Sequence, residues 1–188
     1  MTENSLRKTN RGWTTRDIMV TAIISIALGV LYIPLTYLIA WLTPLPFIVT
    51  IVVGIYFWPI IMVAYLMRKP GAALFAALVS FLVLIPFTPY GITVLSMALL
   101  LGVPIELILM AGRYKFRLWN LMLAGAVAGL IYITGQFTAF GLAIVAPSLQ
   151  VILYIEAIIG GAILGGLIAK WIGDAVFKTG VISNPNES

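Results

Sequence analysis

Two carboxylates, Glu106 and Glu156, lie deep inside apolar stretches of this chain and have the most to explain. An ionisable side chain at the centre of a membrane span costs about 2.5–3.5 kcal/mol on insertion scales, so each is a candidate for function by default. Glu156 stands about two helical turns into the last apolar stretch. Gln136, in the stretch before it, is expected at a similar depth, because consecutive spans run in opposite directions. Tyr132, Gln136 and Phe140 follow at i, i+4 and i+8 and so share one helix face. Tyr154, close to Glu156 in sequence, adds a further ring. A carboxylate, an amide and aromatic faces together can hold a small, planar, polar or cationic ligand. A plainer reading stands beside it, in which Gln136 and Glu156 bond each other or a backbone carbonyl and glue two helices.

Glu106 lies nearer the other end of its stretch, behind Gly102 and Pro104. It is expected either to contact a ligand or to pair with a nearby loop arginine. Pro104 has no N–H and so loosens its helix there. Trp58 and Tyr90 complete the candidates: Tyr56 and Trp58 precede Pro59, whose expected kink would turn one aromatic inward, and Tyr90 stands near a span end. With no Cys and no His, the chain has no thiol nucleophile, no zinc site built on imidazole or thiolate, and no usual general base. One deep glutamate near each face is not a catalytic pair. Neither an enzyme, nor a metal site, nor a cofactor is expected.

The elements that carry these residues must lie in lipid. Of 188 residues, 62% are hydrophobic and 9% charged, and the mean hydropathy is +1.13. A soluble domain carries roughly a quarter charged residues, so this chain cannot cover a water-facing surface. About 20 apolar residues cross the hydrocarbon as a helix. Breaks at charges, Pro and Gly give six spans: 17–40, 47–67, 71–86, 91–112, 118–140 and 150–172. The predicted fold is an all-α six-helix membrane bundle, with segment 1–16 before it, the domain at 17–173, and a tail at 174–188. The apolar stretch after the basic N-terminus is too long for a signal-peptide core and is read as the first span.

All 11 Lys and Arg residues fall in alternate connections: before span one, at Arg68 and Lys69, at Arg113, Lys115 and Arg117, and at Lys170 and Lys178. The positive-inside rule then predicts both termini in the cytoplasm. It also accounts for the net charge of +5 without a nucleic-acid partner. Trp41, Tyr37 and Tyr90 lie near outer span ends, and Trp119, Tyr114 and Trp171 near inner ones, as an aromatic belt does. Small residues recur at every fourth position: Thr21, Ser25 and Gly29 on span one, Ala72, Ala76 and Ser80 on span three, Gly125 and Gly129 on span five, and Ala157, Gly161, Gly165, Ala169 and Gly173 on span six. Such ridges pack helices closely within a bundle, or dock a second membrane subunit.

Several motifs resemble the S components of prokaryotic energy-coupling factor (ECF) transporters. These are Trp13-Thr-Thr-Arg-Asp17 leading into the first helix, Arg68-Lys-Pro-Gly-Ala-Ala73, Thr88-Pro-Tyr-Gly91, and Gly102-x-x-x-Glu106 followed by a basic loop. The last three are similar to the YkoE group, which is associated with thiamine and its hydroxymethylpyrimidine precursor. The resemblance implies a vitamin-binding subunit of the cell membrane. Such a subunit binds its ligand from outside and reorients in the bilayer with a transmembrane coupling subunit and two ATPases. The Ala-x-x-x-Ala pair by which many S components meet that subunit is absent, since Ile26 follows Ala22; Thr21, Ser25 and Gly29 are the substitute contact. The chain has no Walker motif of its own. The competing expectation is a stand-alone channel or secondary transporter for a small polar or cationic solute.

Overall fold

The computed structural model describes residues 12–42, 44–139 and 146–180, and every regular element among them is helical. Arg7, Lys8, Arg11, Phe140 and the polar tail 181–188 lie outside the described residues. Six helices follow the six expected spans: α1 (Thr15–Leu42), α2 (Phe47–Met67), α3 (Ala72–Phe87), α4 (Gly91–Ala111), α5 (Leu118–Thr138) and α6 (Pro147–Lys178). Five are long and apolar enough to cross a bilayer, and α3 is the shorter one. Helix α1 begins on a reciprocal cap: the Asp17 carboxylate accepts from the Thr14 N–H and hydroxyl, and Thr14 Oγ1 accepts from the Asp17 N–H. Proline opens α6 at its first position, where a missing N–H costs nothing. At its other end α6 runs past residue 173, where the tail was expected to start.

The helices form a ring in the order α1, α3, α4, α5, α6, closed by α2, which also fills its centre. The second half of α2 is apolar on all sides, and Phe57 and Pro59 through Leu66 are all buried; only a bundle interior suits such a helix. The break in α2 is a 3-10 stretch at Val53–Tyr56. The kink therefore precedes Pro59, which lies in the first turn of the following α-helical segment Phe57–Met67, where proline is tolerated.

The small-residue ridges are the internal seams of this ring. Thr21 and Ser25 are fully buried, and Ser80 Oγ on α3 donates to the Ser25 carbonyl at 2.8 Å. A Cβ at Gly29 would stand 2.7 Å from the Ser80 carbonyl oxygen. The expected coupling-subunit contact at Thr21, Ser25 and Gly29 is thus covered by α3, whose own small residues fit against it. On the other side of the bundle, a Cβ at Gly125 would lie 2.0 Å from the Gly161 carbonyl oxygen, and one at Gly54 2.3 Å from that of Gly160. Here α6 widens into a π-helix at Gly161–Leu167. The tightened turn of α2 and the widened turn of α6 meet backbone to backbone.

Every described cation lies toward one end of the bundle, the basic end, where residues 68–71 tie the other segments together. Trp13 Nε1 donates to the Pro70 carbonyl at 2.9 Å, and Lys69 pairs with Asp17 and donates to the Gly12 carbonyl at 2.7 Å. The Arg68 guanidinium lies over the rings of Tyr65, Phe116 and Phe177, with centroids 5.3–5.7 Å away. Tyr65 donates in turn to Asp174, which pairs with Lys170. These contacts hold the last turns of α6 in place.

Candidate functional site

Toward the opposite, uncharged end, α1, α2, α5 and the turn before α4 bring four tyrosines together. Tyr32, fully buried, donates its hydroxyl to the Tyr56 carbonyl at 2.6 Å, so the irregular 3-10 turn is held from α1. The Tyr56 hydroxyl donates to Thr36 Oγ1 at 2.9 Å, and Thr36 donates to the Tyr32 carbonyl at 2.8 Å. The Tyr32 and Tyr56 rings are 5.1 Å apart, and Tyr132 meets Phe57 edge-on at 6.2 Å. The hydroxyls of Tyr56, Tyr90 and Tyr132 lie within electrostatic reach of one another, although they come from α2, the turn before α4 and α5. No described residue hydrogen-bonds the Tyr132 hydroxyl.

Tyr32 and Thr36 are the part of this site that sequence reasoning missed, whereas Tyr56 stands with Trp58 as an aromatic that the kink expected at Pro59 would turn inward. The signal was present: Tyr32 and Thr36 share a face at i, i+4 on α1, level with a tyrosine that precedes a proline.

Glu156 is half-buried, and its Oε2 is buried with no hydrogen-bond partner among the described residues. A buried carboxylate oxygen with no donor is costly, so such a group calls for an explanation. One turn further on, the same face of α6 carries Gly160, which abuts the Ile51 backbone of α2. Gln136 is also half-buried, one turn beyond Tyr132 on its face. The two were expected at similar depth and do not meet. Gly129 opposes Ala157 and Gly125 opposes Gly161, a register that sets Glu156 level with Leu130 and Gln136 level with Gln150. No hydrogen bond joins Gln136 to Glu156, so the pair does not glue α5 to α6 directly.

Of the remaining candidates, Tyr154 and Glu106 fall elsewhere. Tyr154 stacks on Phe137 at 5.2 Å, and its hydroxyl is 3.3 Å from Thr134 Oγ1. It therefore belongs to a separate cluster with Ile133, Leu153 and Ala157, between α5 and α6. Trp58 is half-buried against the main core, and Tyr90 is 56% exposed. Glu106 lies toward the basic end and pairs with no described arginine. Its two oxygens accept from the backbone N–H groups of Gly71 at 2.7 Å and Ala73 at 3.0 Å, and the Tyr114 hydroxyl donates to it at 2.7 Å. Gly71, in the left-handed region at φ 83°, begins α3 without a capping side chain of its own. Glu106 supplies that cap from another helix, where the helix dipole favours a negative charge.

Comparison with known proteins follows the fold closely. Residues 16–131 match the family described as ABC-type cobalt transport system, permease component. A Bacillus subtilis (strain 168) protein, YkoE, named for a proposed HMP/thiamine permease role, is 32% identical over 180 residues. The match covers 92% of this chain and 89% of YkoE. A crystal structure of an S-component of an ECF transporter superposes with a TM-score of 0.86 at 30% identity, covering 90% of this chain and 88% of that one.

Proposed function

Because the chain belongs to the S components of ECF transporters, we propose that it captures thiamine or its hydroxymethylpyrimidine precursor for ATP-driven import. The observation that carries the choice of ligand is the 32% identity to YkoE along nine-tenths of the chain. The geometry supports it. The rings of Tyr56, Tyr90 and Tyr132 offer faces for a flat heterocycle, and Trp58 is a further candidate ring. Glu156 brings a carboxylate that lacks a donor, and Gln136 an amide. Thiamine has a cationic thiazolium and an aminopyrimidine donor edge, and either feature would satisfy Glu156. Glu106, held by its cap, and Tyr154, in its own cluster, are left out of the pocket.

The direct test is mass spectrometry of the protein purified in detergent. Thiamine or the pyrimidine should leave with it on denaturation, and a different co-purified solute would replace the ligand assignment. Energy would come from partner ATPases through a coupling subunit. That subunit would meet the bundle outside the buried Thr21, Ser25 and Gly29 ridge, or after α1 parts from α3.

In this reading the basic end faces the cytoplasm and the tyrosine end faces out, following the positive-inside rule. Single cysteines at Thr88 and Ser148 should then react with an impermeant thiol reagent added outside intact cells, and one at Lys115 should not. Labelling at position 115 alone would invert the bundle.

A further inference from the structure

The connection between α4 and α5 carries three cations, two of them where folding alone would not put them. Arg113 and Tyr114 both adopt left-handed backbone, at φ 52° and 54°, a region that side-chain-bearing residues enter at a cost. At this helix end the Arg113 N–H bonds the Met110 carbonyl and the Tyr114 N–H bonds the Leu109 carbonyl. Glycine is the residue favoured for such a turn. One is present but one position early, at Gly112, where φ is an ordinary −71°. Arg117 directly precedes α5, where Ser, Thr, Asp or Asn would cap it and where a positive charge opposes the helix dipole.

The result is an alternating ridge. Arg113, Lys115 and Arg117 are exposed, while Tyr114 and Phe116 between them turn inward. The inward pair is anchored: Tyr114 donates to Glu106, and Phe116 packs on Tyr65 at 5.9 Å and under Arg68. Asn120 reaches back to the Lys115 carbonyl at 2.5 Å. No described carboxylate pairs with any of the three cations.

We propose that Arg113, Lys115 and Arg117 form a rigid docking ridge for an acidic, water-exposed segment of a partner subunit. The proposal rests on the reading of the chain as one subunit of a larger transporter. Orientation in the bilayer needs only the number of cations near the membrane, and any residues of the loop would serve. Lipid headgroups are mobile and gain nothing from a ridge fixed at unfavourable backbone positions. A protein surface with fixed carboxylates does, because complementary charges set register and speed encounter.

The test uses Arg113→Gly and the triple variant Arg113→Gln, Lys115→Gln, Arg117→Gln, each co-expressed with the ATPase and coupling subunits and reconstituted in nanodiscs. Arg113→Gly relieves the strained turn and removes one charge. It should raise the melting temperature while weakening complex formation, an opposition that a purely structural residue cannot give. The triple variant should lose on the order of tenfold in association, with a shallower salt dependence and unchanged vitamin affinity. Association equal to the parent, or a lower melting temperature for Arg113→Gly, overturns the ridge. A loss confined to discs containing anionic lipid assigns the three cations to lipid instead. A parent that binds the vitamin but joins no ATPase module removes the larger reading and the ridge together.

Discussion

Gly125→Leu should leave no folded protein in the membrane fraction. The reason is backbone, not side chain: a Cβ at position 125 would stand 2.0 Å from the Gly161 carbonyl oxygen and 3.1 Å from the Gly166 nitrogen. Neither atom can step aside without moving α6, which is held again at Gly129 against Ala157 and at Gly54 against Gly160. Overpacking an interior typically costs about 1–3 kcal/mol even when side chains can adjust, and here none can. Lipid adds no hydrophobic drive to pull separated helices back together. Gly135 is the control, since a Cβ there meets only the end of the Leu100 side chain, at 3.1 Å. Gly135→Ala should melt close to the parent, and size-exclusion profiles with thermal unfolding would compare the two. A monodisperse Gly125→Leu with parental stability would mean the α5–α6 seam is looser than described.

Glu156→Gln is expected to weaken thiamine binding by about tenfold to hundredfold, because hydrogen bonds to charged groups contribute roughly 1.5–3 kcal/mol. The substitution keeps shape and volume, so the bundle should stay folded. Its stability should even rise slightly in the absence of ligand, since an unpartnered buried carboxylate is replaced by a neutral amide. Glu106→Gln should show the reverse pattern. Thiamine affinity should hold, while the melting temperature falls as the α3 cap loses its charge and one of its acceptors. Titration calorimetry and thermal unfolding of both variants would separate a ligand contact from a cap. Parental affinity in Glu156→Gln with a loss in Glu106→Gln would move the pocket toward the basic end.

The spans were legible because lipid demands about 20 apolar residues in a row, and charge, Pro and Gly marked their ends. The last span was bounded at residue 172, and its helix continues beyond that point to Lys178. What sustains it is tertiary, through Asp174 on Tyr65 and Phe177 beside Arg68, and no local pattern announces that. The spacing of Thr21, Ser25 and Gly29 marked a ridge correctly but could not say what covers it, because any close neighbour satisfies a stripe of small residues. The depth of Glu106 was readable. Its partners, 33 and 35 residues earlier in the chain, were not. Glu156 stood out for the opposite reason, since a carboxylate in an apolar run is conspicuous whether or not anything binds it.

The widened turn at Gly161–Leu167 leaves a mark that lineage comparison can read. A hydrogen bond from i to i+5 encloses one more residue than the α-helical bond. A relative that keeps a plain α-helix here would join the same two end faces with one residue fewer. Aligned against this chain, it would need a single-residue gap between Gly160 and Ile168, with Ala157 and Gly173 still facing their neighbours on either side. Chains of equal length across that interval would carry the wide turn too, and the count alone sorts the two kinds.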